Sequence, residues 1–262
     1  MKLLIVTGAN GALGKAFLDR FSKQHDFFCT GISRSRVDCK VNKVTYLENV
    51  DLLDAESVRK KIDKELPLSQ ITEVLFVHPV GKFKFEKAKE PEIDIDRDGI
   101  DDEVYRSNVE TFNNVEDPLL RLVKETGKIN DLSLCGFGSV SDRYKVPFWP
   151  SYSKSKDILR RLISGKTRQD SSTLHIKGVF INVSSVKTGN EKKLRPYADT
   201  TYWLQPDEIV DDSSDALTRN RIRYMEIDMF KPIAGFNPAI YYSEEAVRER
   251  WMKEMGKTLG IT

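Results

Sequence analysis

The stretch Leu3-Leu4-Ile5-Val6-Thr7-Gly8-Ala9-Asn10-Gly11-Ala12-Leu13-Gly14 runs from four continuous apolar residues into three glycines spaced three apart. A helical pattern follows from Ala12 to about Ser22, with Ala16, Phe17 and Phe21 on its apolar side. A short uninterrupted apolar run reads as a buried strand, and apolar residues three or four apart read as an amphipathic helix. Glycines between the two let the chain turn sharply and let backbone N–H groups approach a pyrophosphate at the helix N-terminus, where the dipole favours negative charge. Gly8, Asn10, Gly11, Ala12, Leu13 and Gly14 are therefore candidate dinucleotide contacts. The alternative is an ordinary glycine-rich turn; the placement between strand and helix favours the dinucleotide.

Outward from this loop the same alternation continues. Strands are expected at Leu3–Val6, Phe27–Ile32, Val44–Leu47, Val74–Val77, about Leu132–Phe137, Val179–Val183 and Tyr224–Phe230. Helices are expected over Ala55–Leu66 with Asp54 as N-cap, from about Asp102 to Glu125, around Tyr152–Ser164, and from Pro206, a residue favoured in a first helical turn. Apolar strands without a polar alternation belong to a parallel sheet covered on both faces. The pattern predicts an α/β, Rossmann-type doubly wound parallel sheet with helices on both faces and right-handed crossovers, in one domain over 1–262.

Composition narrows the partners. Of 262 residues, 42 are Lys or Arg and 40 Asp or Glu, a net +2 that gives no electrostatic footprint for nucleic acid or an anionic membrane. Thr7-Gly8 interrupts the N-terminal apolar run before it reaches the roughly 7–15 residues of a secretory h-region, so the run reads as a strand. No stretch approaches the roughly 18 apolar residues of a transmembrane helix. Cys29, Cys39 and Cys135 lack a CxxC spacing and read as reduced thiols, and His25, His78 and His175 are not paired at ligand spacing. A cytoplasmic protein with a small-molecule substrate and no metal is expected, as a homodimer, a homotetramer or neither.

The end of the second strand reads Gly31-Ile32-Ser33-Arg34-Ser35-Arg36. An NAD site carries an acid there to bond the ribose 2′-OH, whereas a guanidinium pairs with a 2′-phosphate, so Ser33 and Arg34 point to NADP(H). A solvated turn is the other reading of the two arginines. At Tyr152-Ser153-Lys154-Ser155-Lys156, Tyr152 and Lys156 stand four apart on one helix face. A neighbouring ammonium favours phenolate, and this predicts a lowered tyrosine pKa and a usable proton donor and acceptor. Ser139 stands thirteen residues earlier at the end of the fifth strand, where doubly wound sheets bind their ligands.

With the glycine loop, Ser139, Tyr152 and Lys156 in this order and spacing, residues 1 to about 230 resemble the short-chain dehydrogenase/reductase family, as a divergent member. The resemblance implies that Ser139 hydrogen-bonds the substrate oxygen, that Tyr152 exchanges a proton with it, and that Lys156 lowers the tyrosine pKa and contacts the nicotinamide ribose. It also implies that Asn108 holds a water in the proton relay, that Asp51 and Leu52 meet the adenine edge, and that Val186 and Thr188 contact the nicotinamide. Asp51 reads equally as a loop cap. The family's Asn-Asn-Ala-Gly after strand four is here His78-Pro79-Val80-Gly81, with His78 packed beside the adenosine or simply structural, and Gly81 kept. The second glycine of the loop is shifted one place, and the Pro-Gly turn after strand six is missing from Asn182–Thr188.

Asp94, Asp96, Asp98 and Gly99 spell the start of a calcium loop, but Tyr105 stands where the twelfth position needs Glu, and an acidic helix N-terminus explains the run as well. Residues 189–210, with Tyr197, Tyr202 and Trp203, are expected to cover the substrate, and residues 231–262 form an extension that covers the pocket or a neighbouring subunit. The implied function is an NADP(H)-dependent oxidoreductase, a carbonyl reductase in one direction. A non-catalytic NADP(H) redox sensor and a sugar-nucleotide epimerase or dehydratase are the alternatives.

Overall fold

The computed structural model describes residues 1–86, 99–144, 146, 148–169, 171, 173–219, 222–231 and 237–256. Asp94, Asp96 and Asp98 of the calcium reading lie outside the described residues. Among those described, seven strands form one sheet: β1 (Lys2–Thr7), β2 (Phe27–Ile32), β3 (Val44–Leu47), β4 (Glu73–His78), β5 (Asp131–Ser139), β6 (His175–Val183) and β7 (Tyr224–Met229). All pairings are parallel, in the order β3-β2-β1-β4-β5-β6-β7.

Side chains alternate across this sheet and feed two cores. Leu3 and Ile5 join a cluster with α2 (Ala55–Glu65), Phe112 and Leu119 of a later helix, and Leu159. Leu4 and Val6 face the other way, onto Phe17 and Phe21 of α1 (Ala12–Ser22). Each fully buried side chain of this size contributes about 1.5–3 kcal/mol, which is why strands covered on both faces carry no polar alternation. The remaining helices are α3 (Asp102–Tyr105), α4 (Thr111–Thr126), α5 (Pro150–Lys166), α6 (Gly189–Leu194), α7 (Pro206–Arg219), α8 (Pro238–Tyr241) and α9 (Glu244–Glu254). No helix among the described residues is long and apolar enough to cross a membrane.

Two departures from the sequence pattern matter for the site. The helix expected from Asp102 to Glu125 is broken by a π turn over Arg106–Glu110, which widens the coil around Asn108. The segment beyond β7 folds back: Tyr242, Val247 and Trp251 pack with Trp149 and Phe148 in a third apolar cluster at the C-terminal edge of the sheet. The chain leaves β1 and β4 in opposite directions across the sheet, so a crevice opens there, beyond the carboxyl ends of the strands.

His78 closes β4 and is fully buried between the two walls of that crevice. Thr111 Oγ1 gives its only hydrogen to the Ser107 carbonyl at 2.8 Å, so toward His78 Nε2, 3.2 Å away, it accepts. Nε2 therefore carries the ring proton, and Nδ1 accepts from Thr7 Oγ1 at 2.8 Å. The neutral ring is satisfied at both nitrogens and has no surface for an adenosine. Of its two readings, the structural one is the one this packing accounts for. Burial, with a smaller repulsion from Lys156, depresses its pKa to about 3. Between that value and the ordinary 6.5 the unfolded chain binds a proton that the folded one refuses, so stability falls as the pH falls through this window. Urea unfolding of wild type and His78→Gln from pH 4 to 7 should show the wild type losing up to about 1.4 kcal/mol more per pH unit than the variant. Parallel pH profiles would contradict the buried neutral ring.

Candidate active site

The crevice holds a groove of about 640 Å³. Gly8, Gly11, Ala12, Leu13 and Gly14 form its floor, Pro79 and Gly81 one wall, and Thr188 with Asn190 the other. Gly8 has φ +63°, which a side chain rarely tolerates, and a Cβ on Gly14 would press into the Gly8 backbone, with its carbonyl carbon 2.9 Å away. Gly11, the N-cap of α1, makes no side-chain cap, which leaves the first amides of the helix facing the groove. An uncapped helix N-terminus over a floor built mostly of glycine fits a pyrophosphate.

Asn10 also braces the loop. Its amide donates to Ser33 Oγ at 2.9 Å, Ser35 Oγ at 3.0 Å and the Arg36 carbonyl at 3.0 Å, bracing the glycine loop against the end of β2. Ser33 is buried by that brace, while Arg34 and Arg36 are exposed beside it. Asp51 Oδ1 accepts from the Leu53 amide at 3.0 Å, which is the loop cap of its alternative reading. Leu52 belongs to the apolar core, and its carbonyl is held by Asn114 at 2.9 Å.

A second cavity of about 150 Å³ adjoins the groove, with Phe83, Thr188 and Glu191 bordering both. Ser139, the last residue of β5, and Tyr152, in the first turn of α5, open onto it together with Val186. Lys156 follows one turn after Tyr152; it is 3% exposed and its Nζ stands 5.6 Å from the tyrosine ring centre. Gly81 passes directly over it: a Cβ there would lie 2.8 Å from Lys156 Nζ and would overlap Asn108 Oδ1. Lys154 is exposed on another face of the helix.

Electrostatics in this site follow burial rather than the lysine. Burial pushes the Tyr152 phenol up, and the carboxylates of Asp142 and Glu191 push it the same way, so the lowered pKa expected from the Tyr152–Lys156 pair is corrected: the phenol keeps its proton. Burial also brings the Lys156 ammonium down to about 8. Asp142, which sequence reasoning passed over, is 2% exposed at its side chain, accepts from the Ser139 amide at 3.1 Å, and is raised by burial to about 7.

Asn108 is buried within the π turn. Its Nδ2 donates to the Lys82 carbonyl at 3.0 Å and to Ser155 Oγ at 2.8 Å, and its Oδ1 accepts from the Lys82 amide at 2.8 Å. Both amide hydrogens are used within the protein, so the side chain positions the loop after β4. From the segment 189–210, Glu191 and Arg195 line the cavity, and Asn190, Lys193 and Leu194 line the groove. Tyr197 and Tyr202 are 74% and 48% exposed, and Trp203 is buried against Arg195; the aromatic walls are Phe83, Trp149, Tyr241, Tyr242 and Trp251. Tyr152 rests 5.2 Å from Phe83, and Trp149 packs 4.5 Å from Trp251.

No family model matches this sequence, and no curated protein does. Many solved structures match the fold. A short chain dehydrogenase from Burkholderia cenocepacia in complex with NADP superposes with a TM-score of 0.69 at 16% identity, over 98% of each chain. An alcohol dehydrogenase from Thermococcus sibiricus complexed with 5-hydroxy-NADP gives 0.65 at 19%, over 89% of this chain and 99% of that one. A 3-ketoacyl-(acyl-carrier-protein) reductase from Brucella melitensis complexed with NADH gives 0.66 at 16%, over 87% and 96%. The chain has the short-chain dehydrogenase fold. Within that fold its groove is held to the helix of Tyr152 through one buried amide, at Asn108. Asn108→Ala should leave the Lys82 amide without its acceptor, lowering stability by about 1–3 kcal/mol in urea unfolding and raising hydrogen exchange at Lys82 at least tenfold. Unchanged exchange at that amide would show that the clamp does not hold.

Proposed function

We propose that this protein is an NADP(H)-dependent oxidoreductase that reduces a ketone or aldehyde. One observation carries the reading: Ser139 and Tyr152 open onto a small cavity that shares Phe83, Thr188 and Glu191 with a groove floored by three glycines at a helix N-terminus. Among structures with this fold, some are complexes with NADP and others with NADH; the preference for NADP(H) here rests on Arg34 and Arg36, exposed where an NAD site carries an acid.

The residues divide the work by position. A bound nicotinamide supplies or accepts the hydride. Tyr152 holds its proton at neutral pH and sits at the cavity wall, so it delivers that proton to a carbonyl oxygen that gains negative charge. The Ser139 hydroxyl steadies the same oxygen, with Asp142 fixing the backbone at Ser139. Lys156, buried under Gly81, keeps a positive charge beneath the phenol below about pH 8 and loses it above. Carbonyl reduction should accordingly decline above that pH.

NADPH consumption against a panel of aromatic ketones, diketones and quinones tests the reaction. Tyr152→Phe should abolish turnover with NADPH affinity nearly unchanged, and Ser139→Ala should slow it by about 10²–10³. A Tyr152→Phe enzyme that keeps a tenth of the wild-type rate would remove the proton donor from the account. Tight NADPH binding with no turnover on any carbonyl would favour the sensor. Arg34→Asp should reverse the NADPH over NADH preference, which calorimetry reads as a difference of about 1.5–3 kcal/mol in the wild type; equal dissociation constants in the wild type would contradict it.

A further inference from the structure

The end of β5 that carries Ser139 is held by a charge network that reaches from α5 to β7. Asp142 stands three residues on, in the turn Val140–Tyr144, with its side chain buried. Its Oδ2 accepts from the Ser139 amide at 3.1 Å, and its Oδ1 is buried with no hydrogen bond among the described residues. Arg160 supplies the facing charge, with Nη2 3.6 Å from Asp142 Oδ2. That guanidinium is itself fixed. Nη1 donates to Asp157 Oδ1 at 3.0 Å, Nη2 donates to Asn182 Oδ1 at 3.2 Å, and Cζ lies 5.0 Å from the Phe180 ring centre. Asn182 in turn donates to Asp228 at 2.8 Å, and Glu226 Oε2 stands 3.4 Å from Arg160 Nε. A Cβ on Gly138 would lie 2.6 Å from Asn182 Oδ1, so the absence of a side chain just before Ser139 lets Asn182 reach the arginine.

Tyr152, Lys156 and Arg160 recur every fourth residue along α5 and so share one side of the helix. Tyr152 meets the cavity, Lys156 lies under Gly81, and Arg160 reaches the turn after Ser139. A carboxyl accepts a hydrogen bond strongly when it is charged and more weakly when it is neutral. Burial drives Asp142 toward the neutral form and Asp157 pushes the same way, whereas the Ser139 amide, Arg160 and Lys156 oppose them, and the balance falls at about 7. Glu226 and Asp228 on β7 are paired with Arg143, at 2.9 and 3.1 Å. We propose that Arg160 is a positioning residue for carbonyl reduction: by keeping the Asp142 carboxylate charged, it fixes the Ser139 amide and so the hydroxyl that meets the substrate oxygen. The proposal rests on the reaction proposed above and adds to it a residue farther along α5 than Lys156. The sign follows from Asp142 being raised above its ordinary 3.8. It loses its charge as the pH falls through about 7, so reduction should weaken below that pH, while the change at Lys156 limits it above about 8.

The test follows the Ser139 amide resonance of the full chain by ¹H–¹⁵N correlation spectroscopy from about pH 5 to 9, because an amide bonded to a carboxylate shifts as that carboxylate takes up a proton. In the wild type the resonance should titrate with a midpoint near 7, and in Asp142→Asn it should stay flat. In Arg160→Met the midpoint should rise by about one pH unit or more, since an opposite charge at this distance favours the ionised carboxyl. Turnover is read beside it, with NADPH and the fastest substrate of the ketone, diketone and quinone panel. Arg160→Met should lower kcat about threefold to tenfold near pH 7.5 with KM within about twofold, the pattern of an interaction made in the transition state. The acid limb of the kcat profile should move up with the amide midpoint, and Arg160→Lys should recover most of the loss because it returns the charge. A wild-type Ser139 amide that does not titrate, or a midpoint and an acid limb that Arg160→Met leaves in place, overturns the proposal. Should Arg160→Met fail to fold, Asp157→Asn decides at a partly exposed position: it removes a repelling carboxylate and frees Arg160 Nη1, so the midpoint should fall, and one that stays or rises overturns the proposal. Titration as expected with no carbonyl reduced would remove the reaction and keep the hold on Ser139, whereas reduction with a flat amide would keep the reaction and remove the role of Arg160.

Discussion

One buried amide holds the site together. Asn108 bonds the backbone of Lys82 in both directions and the hydroxyl of Ser155, so a single side chain fixes the loop after β4 to the helix that carries Tyr152 and Lys156. The π turn at Arg106–Glu110 sets Asn108 in that position. Gly81 then lies so close to Asn108 and Lys156 that no side chain is admitted. The groove wall, the buried ammonium and the tyrosine thus share one rigid reference. Buried hydrogen bonds of this kind are cheap to keep and expensive to leave half made, which makes the arrangement specific rather than merely stable.

Burial sets the protonation states around this clamp. His78 is held neutral beneath the crevice, the Tyr152 phenol keeps its proton, Lys156 is brought toward physiological pH, and the Asp142 carboxyl is raised to meet it. Pairs of groups pushed in opposite directions by one apolar environment are a recurrent feature of sites that move protons. Phe83, Trp149 and Trp251, from three separate parts of the chain, pack against one another at the wall of the same cavity.

The fold was legible because its signals are local. Phe27–Ile32 and Val44–Leu47 coincide with β2 and β3, Asp54 caps α2 by accepting from Ser57, and the glycine loop lies between β1 and α1. β6 begins at His175, four residues before its apolar run, because pairing with β5 from Asp131 onward carries the polar residues into the sheet. In the site, Ser139 and Tyr152 could be placed because they end a strand and open a helix at known spacing. What Asn10, Asn108 and His78 do could not, since each depends on partners 23 to 71 residues away in the chain. The sign of the Tyr152 shift was missed for the same reason: spacing reveals the lysine but not the depth of burial. The tail could be expected to cover the pocket or a neighbouring subunit, but which of its residues line the cavity could not be read: Trp251, Arg250 and Tyr242 come from a stretch without periodic pattern, and only tertiary packing brings them to the cavity of Tyr152.

The central claim is that the glycine-floored groove and the tyrosine cavity are two halves of one site, joined at Phe83 and Thr188. A crystal structure of the protein grown with NADP⁺ tests it directly. The pyrophosphate should rest on the first amides of α1, the 2′-phosphate should meet Arg34, and the nicotinamide should reach the mouth of the cavity beside Tyr152. A nucleotide bound elsewhere on the sheet, or one whose nicotinamide turns away from Tyr152, would contradict the account.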